Sequence, residues 1–292
     1  MFPAGVSGIR VEYSALADGT RLRVAASGDP GAPATLLVHG WGASLYMWRD
    51  WFAPLAAAGR RAVALDLPGH GLSDKPLGDD RYTLDALVRA VAEVIASCRF
   101  GAPDVVAQSM GGTVALELAA RGATPLGGLV LVNPACFGRV HLLRLARLVS
   151  PRAIEPLLAR SMQRWMVARA HRRVYGDPSR ITAEDVDQYW AASGLPGYAA
   201  AMRRLVHEFS WRRLPVSEMA SRLRALRPPT SPPLVVLGGR DRLVHDARPY
   251  VDALRAAGAP LDLYLSADGG HAVNEERPGE VLEVALRHLA RM

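Results

Sequence analysis

Cysteine is nearly missing from this 292-residue chain, which has only Cys98 and Cys136. Two thiols, each following an apolar or helical run, make no disulfide framework, and a reducing compartment is the expectation. Lysine is scarcer still, Lys75 standing alone among 35 basic residues. Arginine therefore carries almost all of the +7 formal charge, a bias that points to GC-rich coding rather than to a selected surface. Nucleic-acid binding needs a recognisable module, and the chain contains none. No apolar run reaches the roughly 18 residues of a membrane span. Residues 1–8 have neither a basic lead nor an apolar stretch, so no signal peptide is expected. A cytoplasmic protein with no integral membrane segment follows as the expectation. Histidines and carboxylates nowhere adopt ligand spacing, and His39 with His70 and Asp66 is no recognised set, so no metal is expected.

What the chain does have is apolar residues, half of the total, enough for one large core or for a domain carrying an insertion. Residues 9–13 and 21–26 read as a hairpin around Asp18-Gly19-Thr20. Buried-strand runs follow at 35–38, 62–65, 105–107, 129–132, 234–237 and 261–265. Helix candidates lie between them, at 46–58 (ended by Gly59), at 84–97 (capped by Thr83) and from 114 onward. Strand alternating with helix predicts an α/β protein with a mostly parallel, doubly wound sheet. The alternation stops at Asn133-Pro134. Helix-like segments at 142–148, 154–175, 183–192 and 199–209 then run to the proline-rich connector at 227–233.

One stretch, Ala107-Gln108-Ser109-Met110-Gly111, joins the end of a strand to the start of a helix. A strand that turns at once into a helix passes through a tight turn, where only small flanking residues fit. The turn exposes the Ser109 hydroxyl and aims backbone N–H groups and the helix dipole at the space above it. A serine here also reads as a plain helix cap. As a nucleophile it needs a base in reach. His271 follows a strand, behind Gly269 and Gly270, and Asp241 follows another in Gly-Gly-Arg-Asp. Asp246 and Asp268 are the other acids near enough in sequence to serve.

Together with His39-Gly40-Trp41-Gly42 and Asp66-Leu-Pro-Gly-His-Gly-Leu-Ser-Asp74, these motifs resemble the α/β-hydrolase superfamily over nearly the whole chain. The order Ser109, Asp241, His271 matches the serine-acid-histidine order of that fold. Some relatives place the acid after the preceding strand, where this chain has the uncharged Asn133. The resemblance implies a core of residues 1–133 and 230–292, with 134–229 as a helical cap over the catalytic face. It also implies an oxyanion hole from the backbone N–H groups of Trp41 and Met110. Substrate contacts are expected from Trp41, Gln108, Met110, Phe137, Trp165 and Val244. Met162, Met166, Trp190 and Trp211 are open to either a pocket or a cap core. The cap is basic, with ten arginines between Arg139 and Arg180. Its first helix can pack on the sheet domain, rest on an anionic membrane, or accept an acidic carrier.

Serine at the elbow separates the chain from the dehalogenase and epoxide hydrolase branches, which resemble it but carry aspartate there. Gln108 matches neither the histidine of many lipase-like relatives nor the asparagine of many C–C hydrolases. Hydrolysis of a carboxylic ester of a small-molecule substrate through an acyl-enzyme, without a cofactor, is the least committal expectation. A C–C hydrolase of a vinylogous keto acid, a lactonase, a thioesterase and a non-catalytic small-molecule receptor are the alternatives.

Overall fold

A computed structural model describes residues 1–140, 142–151 and 162–291, with only the main chain described at 142 and 144. Eight strands form one sheet in the order β1-β2-β4-β3-β5-β6-β7-β8. They are β1 (Arg10–Ala15), β2 (Arg21–Ser27), β3 (Ala34–Val38), β4 (Arg61–Leu65), β5 (Asp104–Gln108), β6 (Leu129–Val132), β7 (Leu234–Gly238) and β8 (Asp262–Ser266). β1 and β2 are antiparallel to their neighbours, and every later pairing is parallel. The central strands β3, β5 and β6 are apolar at nearly every position because helices cover both sheet faces. The core accordingly forms two apolar clusters. Leu36, Val105 and Leu131 point into one, and Leu37, Val106 and Val130 into the other.

Helices α1 (Phe52–Ala57), α2 (Leu84–Ser97) and α3 (Ser109–Arg121) flank the early strands. The helix expected over 46–58 is instead a 3-10 helix, Leu45–Trp51, running into the short α1. Pro54 accounts for this, since it has no N–H to donate to Asp50 and its ring would crowd that carbonyl. α2 begins where its cap was expected, the Thr83 hydroxyl accepting from Ala86 N at 3.2 Å.

After β6 the described residues hold α4 (Leu142–Val149), α5 (Arg164–Val174), α6 (Ala183–Ser193), α7 (Tyr198–Glu208) and α8 (Val216–Ala225). His141 and the first part of the helix expected at 154–175 lie outside the described residues. α8 packs against α3 and against α9 (Ala247–Ala256), on the flank of the sheet rather than above its end, although the sequence grouped it with the cap. Its apolar residues Met219, Ala220 and Leu223 join the core there. α10 (Val273–Glu276) and α11 (Pro278–Leu289) close the chain. No helix among the described residues is long and apolar enough to cross a membrane.

Candidate active site

β5 passes into α3 with no intervening loop, and Ser109 takes φ +51° at the junction. A left-handed backbone at a non-glycine residue costs about 1–3 kcal/mol and persists only where its surroundings enforce it. Here the enforcement is visible. A side chain at Gly111 would collide with the His39 carbonyl, and one at Gly40 with the Gln108 amide and, at 3.0 Å, with Ser109 Cβ. α3 therefore starts tight against the end of β3, with the Ser109 hydroxyl at the carboxyl edge of the sheet.

His271 comes from the loop after β8, and its Nε2 lies 2.9 Å from Ser109 Oγ. Its Nδ1 donates to Asp241 Oδ2 at 2.8 Å, which leaves Nε2 free to accept the serine proton. Asp241 turns its other oxygen to its own loop, Oδ1 accepting from Leu243 N at 2.7 Å and Val244 N at 3.0 Å. Burial pushes this carboxyl up. The adjoining His271 and the two N–H groups outweigh burial and hold it below its ordinary value. The other two acids considered sit elsewhere. Asp246 pairs loosely with Arg139 at 3.8 Å, and Asp268 with Arg240 at 2.6 Å, both about half exposed.

Two side chains hold the main chain of His271. Its carbonyl accepts from Gln108 Nε2 at 3.0 Å and from Asn133 Nδ2 at 2.9 Å. Asn133 also donates to Gly270 O and accepts from Gly238 N, joining the ends of β6 and β7 to the histidine loop. Sequence reasoning saw Asn133 only as a missing carboxylate. Its position directly after a buried strand, at the break in the α/β pattern, was the available signal.

The histidines of the two conspicuous loops shape backbone. His39 Nε2 accepts from Leu67 N at 3.0 Å, and His70 Nε2 from Gly42 N at 3.2 Å. Both are fully buried, and burial lowers the pKa of each. Asp66 accepts from Leu45 N and Leu72 N and pairs with Arg23. Among the described residues, no three His, Cys, Asp or Glu side chains gather as a group able to hold a metal.

Above Ser109 lies a cavity of about 280 Å³ whose wall is mostly apolar. Trp41, Gln108 and Val244 line it as expected, and Trp211 joins them. Three of the substrate contacts read from the sequence are corrected. Met110 points back from the second position of α3 into the sheet core, fully buried. Phe137 packs edge-on against Tyr250 of α9, with ring centroids 5.9 Å apart, and is fully buried as well. Trp165 is 65% exposed, because α5 faces the cavity with Ala170, His171 and Val174, and nine residues is half a turn out of phase. Trp190 is also on the surface, its Nε1 reaching Met162 O. The first cap helix, α4, lends Leu143 and Ala146 to the cavity and leaves Leu145 and Leu148 exposed.

A buried polar cluster forms one end of the wall. Arg49 bridges Glu275 at 2.6 Å and Asp185 at 2.8 Å, while Tyr46 donates to Asp185 and Tyr189 to Glu275. Asp185 is also the third residue of α6, closing a capping box with Thr182.

A model of the alpha/beta hydrolase family matches residues 35–284. The chain is 27% identical over 279 residues to the dihydrolipoyllysine-residue acetyltransferase component of the acetoin cleaving system of Pseudomonas putida, covering 94% of this chain and 68% of that one. It is 26% identical over 288 residues to the AB hydrolase superfamily protein YfhM of Bacillus subtilis (strain 168), covering 93% and 95%. Among solved structures, the epoxide hydrolase CorEH without ligand superposes with a TM-score of 0.77 at 21% identity, covering 97% and 99%, a likeness of fold.

Proposed function

The chain belongs to the alpha/beta hydrolase family, and on that premise we propose that it hydrolyses carboxylic esters of small, largely apolar substrates through Ser109, His271 and Asp241. The observation that carries this reading is the unbroken contact chain Ser109 Oγ–His271 Nε2–Nδ1–Asp241 Oδ2, at 2.9 and 2.8 Å. His271 takes the proton as Ser109 Oγ attacks the ester carbonyl, and Asp241 stabilises the imidazolium. Collapse of the tetrahedral intermediate expels the alcohol, protonated by His271. Water activated by the same histidine then hydrolyses the acyl-serine. The N–H groups of Met110 and Trp41 serve as the oxyanion hole. The first turn of α3 has no intrahelical acceptor for its N–H groups, and the backbone at Gly40 passes against Ser109.

Serine also argues against an epoxide as the substrate. Opening an epoxide with Ser109 Oγ would leave an ether, with no carbonyl for water to attack, so the enzyme would not turn over. An acyl-serine has that carbonyl. The wall favours an ester over a keto acid needing a carboxylate clamp, since Arg173 is the one described cap arginine that lines it.

Labelling with a fluorophosphonate, lost in Ser109→Ala, separates an enzyme from a receptor on the same fold. A panel of p-nitrophenyl esters of rising chain length, run beside a meta-cleavage dienoate, separates the reactions. Turnover of short and medium esters with an inert dienoate is expected. Turnover of the dienoate alone overturns the ester assignment.

A further inference from the structure

The peptide N–H groups on either side of His271 are both tied, one directly and one through Glu276, to the cap segment at the end of α5. Ala272 N donates to Val174 O, the last residue of α5, at 3.2 Å. Gly270 N donates to Glu276 Oε2 at 2.8 Å, and the same oxygen accepts from Gly176 N at 3.0 Å. Glu276 Oε1 accepts from Asp177 N at 2.7 Å. One buried carboxylate thus collects three backbone N–H groups, one from the histidine loop and two from the segment after α5. The two segments run so close that a side chain at Gly270 would strike the main chain of 174–176, and one at Gly176 the main chain of 268–270.

A carboxylate is the side chain suited to this place, since it accepts at both ends and donates at neither. An amide would turn an NH₂ toward one of the N–H groups and leave a buried donor unmatched. The core holds the His271 carbonyl through Gln108 and Asn133, whereas the Ala272 N–H answers to Val174 and the Gly270 N–H to Glu276, whose carboxylate also holds residues 176 and 177. The imidazole position is fixed only when both sets are made.

We propose that Glu276 is a positioning residue that ties His271 to the cap segment 174–177, so that seating of the cap and alignment of the base are one event. This rests on the reading of Ser109 and His271 as nucleophile and base. Glu276 touches neither substrate nor reacting atoms and acts through the backbone on either side of the histidine.

The test is Glu276→Gln in the full chain, with Glu276→Asp beside it, each checked for native circular dichroism. The readouts are kcat and KM per fluorophosphonate-titrated site on p-nitrophenyl butyrate. Misplacing a reacting group by an ångström costs about 100-fold, so kcat is expected to fall about 10- to 100-fold with KM nearly unchanged. Glu276→Asp, keeping the charge on a shorter arm, should recover part of the loss. If Glu276→Gln does not fold, the same two readouts on Glu276→Asp decide, with a wild-type kcat counting against the proposal. A folded Glu276→Gln with wild-type kcat overturns it while leaving the hydrolase reading intact. A wild-type protein that fluorophosphonate does not label removes that reading, and this inference with it.

Discussion

The carboxyl edge of the sheet and the cap above it bound the same cavity but are built on different rules. At the sheet edge, position is dictated by backbone meeting backbone: Gly111 against the His39 carbonyl, Ser109 forced to φ +51°, Asn133 joining two strand ends. In the cap, side chains lie on helices whose orientation is set by remote packing, and the same helix α5 presents His171 to the cavity and Trp165 to solvent. A reacting group needs tenths of an ångström and belongs on the first kind of scaffold. A wall that selects by bulk tolerates the second.

That contrast is sharpest in how unequal the effects of substitution should be. Asp241→Asn changes one heavy atom at the sheet edge, yet it presents a donor to His271 Nδ1 and selects the wrong tautomer. A drop of about 10⁴ in kcat is expected from the corresponding change in other triads, measured on p-nitrophenyl butyrate with the titrated active-site count held equal. A loss under tenfold would mean that the sheet edge is less exacting than its packing implies.

Removing a whole indole from the cap should matter far less. Trp211→Ala enlarges the cavity and should shift relative kcat/KM toward longer acyl chains by about tenfold, the discrimination one or two methylenes give in an apolar pocket. Trp165→Ala should leave the chain-length profile within about twofold of wild type, being on the solvent face of α5. Equal effects from the two would dissolve the distinction between cavity wall and cap surface.

A different kind of test concerns pH. Burial lowers the pKa of His39, His70 and His288 in the folded chain, while unfolded histidine titrates near 6.5. Their stability contribution is full above that value. As pH falls below about 6.5 the unfolded chain takes up protons the folded one refuses, and stability declines by up to about 1.4 kcal/mol per pH unit for each histidine. The depressed carboxyls Asp185 and Asp241 add their loss only below about pH 4, the ordinary carboxylate range. Thermal midpoints should fall from pH 7 to pH 5, and His70→Gln should flatten the slope. A flat profile in the parent chain contradicts the burial of the loop histidines.

What the sequence made legible follows the same division. Strand positions, the serine turn and the loops carrying Asp241 and His271 could be read because small residues and apolar runs are local signatures of local sterics. Pro54 is a local signal too, though it was overlooked in a helix that it interrupts. The cavity wall could not be read, since Phe137, Met110 and Trp165 look like pocket residues and only the tertiary packing turns them away. Glu276 fell between the two, a carboxylate that looks like ordinary surface charge until the segment after α5 is laid across it.

Asp185 holds two jobs with its two oxygens, completing the first turn of α6 with one and meeting Arg49 and Tyr46 with the other. The cap is therefore not an interchangeable module. A grafted lid without a carboxylate at this place would leave Arg49 with Glu275 and the more exposed Asp50 as its remaining acids. Exchange of lids between relatives has to carry Thr182 and Asp185 along, or rewrite residues 46–49 beneath them.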